Sequence, residues 1–147
     1  MRQYDLHDNI VQKITIPLQT VGTTGTGRTG KVIDRSGYQG VELLVEYGSV
    51  TATNATATVT LLEGDVTGTM TSVADASMIP NANAESLAGL AVAATRTSGV
   101  SKNVAHKIGY IGLKRYVSAN IKSTVSAGFL IGAKFLLGDP NSAPVAS

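Results

Sequence analysis

At 147 residues the chain has the length of a single domain, for which about 100 to 150 residues is the common size. Hydrophobic residues make up 43% and charged residues only 15%, so one buried core is within reach and Thr, Ser, Asn and Gly must finish a neutral, hydrogen-bonding surface. The 12 basic and 10 acidic residues are scattered without a run, aromatic residues are 5%, and Trp and Cys are absent; this argues against nucleic acid and sugar partners and removes disulfides, thiolate metal sites and thiol nucleophiles.

The first nine residues, Met1 to Asn9, are polar and lack the apolar stretch of a secretory signal. No run of about 18 apolar residues occurs that would cross a membrane as a helix. A soluble chain, made in the cytoplasm, is expected. Period-two alternation then dominates. Ile10 to Ile16 sets Ile14 and Ile16 on one side, and Pro17 marks the following positions as an edge. Gly22 to Gly30 is a low-complexity Thr/Gly stretch that reads as a flexible loop, and Lys31 to Asp34 is a short strand candidate.

Val41 to Tyr47 alternates cleanly, with Val41, Leu43, Val45 and Tyr47 inward, and Thr56 to Leu62 points Ala57, Val59 and Leu61 one way. Weaker strands are read at Ser72 to Ile79 and at Leu90 to Thr95, with a short helix over Ala82 to Ala94 as the alternative. Ile108 to Leu113, Arg115 to Lys122 and Phe129 to Leu137 complete the set; the last turns Phe129, Ile131, Ala133, Phe135 and Leu137 to one face. About eight short strands separated by turn residues predict an all-β, antiparallel β-sandwich or jelly roll. One domain covers 1–147, with a core over about 10–138 and extended terminal arms at 1–9 and 139–147, because the tail from Gly138, with Pro140 and Pro144, is not expected to extend a sheet.

Few residues nominate chemistry. Gly25 to Lys31 matches a Gly-x-Gly-x-x-Gly fingerprint and most of a phosphate loop. The position that should hold magnesium through a hydroxyl is Val32, and the following residues look like a strand where the motif needs a helix. His7 lies between Asp5 and Asp8, which makes a weak metal site conceivable, but solvated side chains are the better reading. Glu63, Asp65 and Asp75 would have to converge to act as paired carboxylates, and without aromatic subsites a sugar has little to bind. No serine sits in a Gly-x-Ser-x-Gly elbow. The expectation is a chain that is not an enzyme, with no cofactor and no small-molecule substrate.

The order of several stretches resembles one family. Gly40-Val-Glu-Leu-Leu-Val-Glu-Tyr47 is followed by Val59-Thr-Leu-Leu-Glu-Gly-Asp65 and Val73-Ala-Asp-Ala76. Lys107-Ile-Gly-Tyr-Ile-Gly-Leu-Lys-Arg-Tyr-Val117 comes next, then a hydrophobic strand ending in Leu137-Gly-Asp-Pro140. From about Gly40 to Pro144 this is similar to the small decoration, or cement, proteins of tailed-phage heads, some of which are jelly rolls. The resemblance implies a virion structural protein, a capsid decoration protein on the outer face of the head shell. Its partners would be the major capsid protein and further copies of itself, as a dimer or trimer. The alternatives are a tail or head-tail connector protein and a free-standing β-sandwich binding module. Tyr4 and Leu6 beside Arg2 in the first arm, and Pro140, Pro144 and Val145 in the second, are the candidate partner-binding residues.

Overall fold

The computed structural model describes residues 6–21, 26–50, 57–79, 104–123 and 129–141. Their strands are β1 (Ile10–Val21), β2 (Arg28–Thr29), β3 (Ile33–Asp34), β4 (Tyr38–Val50), β5 (Ala57–Val66), β6 (Thr69–Ser72), β7 (Met78–Ile79), β8 (Val104–Tyr110), β9 (Tyr116–Ser123) and β10 (Phe129–Pro140). Two antiparallel sheets result, one in the order β1-β10-β4-β8-β7 and the other β2-β9-β5-β6, with β3 also pairing β9. The pairings nest. β1 lies against β10, β2 and β3 against β9, β4 against β8, and β5 against β6.

Alternation decides what the two sheets bury. Val41, Leu43, Val45, Ile131, Phe135 and Leu137 of the first sheet meet Val59, Leu61, Val117 and Ile121 of the second in one core cluster. Each such side chain contributes roughly 1.5–3 kcal/mol by leaving water. The expected inward faces of β4, β5, β9 and β10 are therefore the observed ones; the side chain of Phe129 lies outside the described residues.

The edge strand departs from the simple alternation. Ile16 is buried while Ile14 is 61% exposed, so the two do not share a face as expected. The register shifts between them and again before Gln19, and this bulging turns Thr15 into the interior. There its hydroxyl donates to the Lys31 carbonyl at 2.8 Å and its carbonyl accepts the Lys31 N–H at 2.8 Å. The first sheet is thereby stitched to the chain entering the second. Pro17 falls within the second shift, on an edge strand, where a missing N–H is tolerated.

Other boundaries move for local reasons. Residues 26–30 are not simply a loop, since β2 pairs with β9 through Arg28 and Thr29; Gly22 to Gly25 lie outside the described residues. Ser72 to Ile79 is not one strand but the last residue of β6, a 3₁₀ turn over Asp75–Ser77, and β7. β8 stops at Tyr110, and 111–114 leave the sheet. β10 runs on to Pro140, which faces Tyr38 across the β4 ladder. The β1 ladder has already ended at Ile10 opposite Gly138, so on that side the proline forfeits no ladder bond. The strand and the helix weighed for Ala82 to Thr95 fall outside the described residues.

Candidate partner-binding end

The described parts of both candidate arms, 6–9 and 139–141, adjoin one end of the sandwich. Ile10 pairs with Gly138 and Pro140 faces Tyr38, so Leu6, at the start of the described chain, and Asn141, beyond Pro140, belong to this same end. Asn141 is tied down there: its N–H donates to the Gly37 carbonyl at 2.8 Å, and its side-chain oxygen accepts from Gln39 at 3.0 Å. Leu6 is 68% exposed and Pro140 is half-buried. Arg2, Tyr4, Pro144 and Val145 lie outside the described residues.

The loop 111–115 closes this end, and it is held by a dense set of bonds. The Ile111 N–H donates to the Ser77 carbonyl at 2.9 Å, and the Arg35 N–H donates to the Arg115 carbonyl at 3.1 Å. The Arg35 guanidinium donates to the carbonyls of Lys114 (2.7 Å) and Gly112 (3.0 Å) and lies 5.4 Å from the centre of the Tyr110 ring. The Tyr110 hydroxyl accepts the Lys114 N–H at 3.0 Å and donates to Glu63 at 2.5 Å. Burial, then the Glu63 carboxylate, push the Tyr110 phenol well above the ordinary tyrosine range. Lys114 pairs with Asp65 and Arg115 forks onto Asp34, with its shortest contact at 2.7 Å. The Arg115 guanidinium holds the Asp34 carboxyl below its usual value.

What this framework displays is apolar. Leu113 is 94% exposed at the loop's tip, and Ile111, Ile79 and Val66 are each more than half exposed. With Leu6 they make five of the eight exposed large hydrophobic residues among those described. The other three, Ile14, Leu18 and Leu130, are on β1 and β10, where Ile14 and Leu18 border a shallow hollow crossed by the Lys134–Glu46 pair at 3.0 Å. Sequence reasoning singled out Leu6 and Pro140 at this end and missed Leu113, Ile111, Ile79 and Val66. The available signal was Ile111 and Leu113 at outward positions of an alternation that buries Ile108 and Tyr110.

The chemical alternatives meet prior engagements. In the phosphate-loop lookalike the Gly30 N–H donates to the Ala119 carbonyl at 2.8 Å and the Lys31 N–H to Thr15, and strand β3 follows. A side chain at Gly27 would come within 2.7 Å of Asn120 and of the Ile121 carbonyl; its neighbour is β9 rather than a phosphate. Glu63 and Asp65 are committed to Tyr110 and Lys114. His106 stacks on Tyr47 with ring centres 6.0 Å apart. Among the described residues no three His, Asp or Glu side chains gather as a metal site would require.

The sequence was compared with protein-family models and with curated proteins, and none of either matches it.

Proposed function

We propose that this chain is a virion structural protein that decorates and stabilises a tailed-phage head by binding the outer face of the major capsid protein lattice, without catalysis. The observation that carries the reading is the bonded end of the sandwich, where β1 begins, β10 ends, and the exposed Ile79, Ile111 and Leu113 line one groove. A rigid loop tipped with apolar side chains loses little freedom on docking, which favours a lasting protein contact over a transient one. The pairing of first strand with last and inner with inner supports a jelly-roll reading of the sandwich, an architecture that recurs in viral capsid domains. The family resemblance of Gly40 to Pro144 supplies the phage context, which the fold alone does not.

The mechanism is mass action. A protein that binds only the assembled lattice stabilises it by about 2.7 kcal/mol per site at a hundredfold excess over its dissociation constant. Contacts to neighbouring subunits at once add to this through effective concentration. The test is co-sedimentation with purified head shells and with tails, followed by heating of the shells. Saturable binding to shells that raises their disruption temperature is the expected result. Binding to tails alone would give the chain to the tail or head-tail connector, and binding to neither would remove the virion reading.

A further inference from the structure

Charge is sorted along the sandwich. Among the described residues, seven of the eight carboxylates lie at the bonded end, on or beyond the Glu42–Gly109–Ile79 row of the first sheet and the Glu63–Val117 pair of the second. Three cations share that end, Arg35, Lys114 and Arg115, which leaves it four negative charges in excess. The rest of the sandwich holds six cations, Lys13, Arg28, Lys31, Lys107, Lys122 and Lys134, against one acid, Glu46. The cations of the bonded end are all engaged, Arg35 with loop carbonyls, Lys114 with Asp65 and Arg115 with Asp34. Three of its carboxylates are not: Glu42, Asp75 and Asp139 have no hydrogen-bond or ion-pair partner among the described residues.

Two of these free carboxylates sit where the backbone makes room for them at a cost. Asp139 has a φ of 51°, the one positive value outside glycine among the described residues, although Pro140 follows it and favours extended backbone there. A strained residue that presents an exposed, unpaired charge points to use rather than to stability. Glu42 Oε2 lies across Gly109, 3.3 Å from where a Cβ would stand, and the Ile79 Cβ is 3.2 Å from the same point. Any side chain at 109 would push that carboxylate aside.

We infer that the bonded end docks onto a basic protein surface, with a partner lysine or arginine seated on the Glu42 carboxylate between Ile79 and Ile111 and with the cationic half of the sandwich turned away. The groove suits such a side chain: Ile79 and Ile111 take its methylene stem and Glu42 its charged head. Asp75, two residues before the Ser77 carbonyl that holds Ile111, and Asp139, beside Pro140, extend the negative field across the same end. The opposite sign on the other half repels that half from the same surface, so charge selects the orientation as well as the partner. For the partner's identity this rests on the shell reading; the sign of the partner's charge does not.

The test is the rate at which the full chain associates with purified head shells, in low and in high salt. The wild-type rate is expected to fall as salt rises. The chain carrying Glu42→Gln, Asp75→Asn and Asp139→Asn, changes that keep shape and remove charge, associates about tenfold more slowly at low salt and loses most of the salt dependence. Lys13→Gln, Lys31→Gln and Lys122→Gln together leave the rate within about twofold, and thermal melts confirm that both variants fold. A carboxylate variant as fast as the wild type, or slowing by the lysine variant instead, would overturn the inference. If no form binds shells, the shell reading falls and an oligolysine titration followed by amide shifts decides the charge. Shifts at Glu42, Ile79 and Ile111 that Glu42→Gln abolishes uphold a basic partner, and their absence overturns it.

Discussion

Tyr110 shows how one side chain joins core, loop and charge. Its ring is buried, and its hydroxyl bonds both Glu63 and the Lys114 N–H. Tyr110→Phe keeps the packing and strands those two groups, so a loss of about 1–3 kcal/mol in urea unfolding is expected. The pH dependence has a definite sign. The phenol's value is raised in the folded state, so its contribution is whole below the unfolded value of about 10 and is lost as pH rises beyond it. Stability measured from pH 9 upward, on the order of two units, should therefore fall less steeply in Tyr110→Phe than in the wild type. Phe135, fully buried between the sheets, is the simpler case: Phe135→Ala should cost about 3–5 kcal/mol, and a near-neutral result would contradict the inward face of β10.

Strands were legible in the sequence where both faces have distinct chemistry. β4, β5 and β9 alternate apolar with polar or charged residues, so a one-residue slip would bury Glu42 or Thr60 and the register is strongly specified. β1 was not legible, because its inward residue at the bulge is Thr15, whose burial depends on a bond to Lys31 in another part of the chain. The short strands and the 111–115 loop hid for a similar reason: Arg35 reaches across to carbonyls of Gly112 and Lys114, and no local pattern encodes that reach. The Thr/Gly stretch is the sharpest instance. A Cβ at Gly30 would come within 2.7 Å of Ile16 Cγ1 and of the Thr15 carbonyl, so this glycine serves the closure between sheets. Gly30→Ala should lower stability by about 1–3 kcal/mol. At Gly68, where nothing lies within 4 Å of an added Cβ, Gly68→Ala should stay within about 0.5 kcal/mol of wild type in the same denaturation assay.

At the scale of the whole molecule, the nested pairing means that the sheet is completed only when the two ends of the chain meet as β1 and β10. Such non-local pairing makes folding slow, with refolding expected in roughly milliseconds to seconds by stopped-flow fluorescence of the tyrosines. The same closure separates the sandwich from its arms. Every ladder pair of β1 and β10 lies between Ile10 and Pro140; just outside them Asn141 bonds to Gly37, and the Leu6 carbonyl accepts the Asn9 N–H in the short turn before β1. A chain reduced to residues 6–141 should therefore melt within about 3 °C of the full protein. If Arg2, Tyr4, Pro144 and Val145 grip the capsid lattice, that shortened chain is released from head shells more readily while its fold is intact. The measurement is retention on washed shells beside a thermal melt. Lower retention with an unchanged melt assigns attachment to the arms; equal retention assigns it to the apolar loops at the bonded end, where Leu113→Asp then becomes the change that releases it.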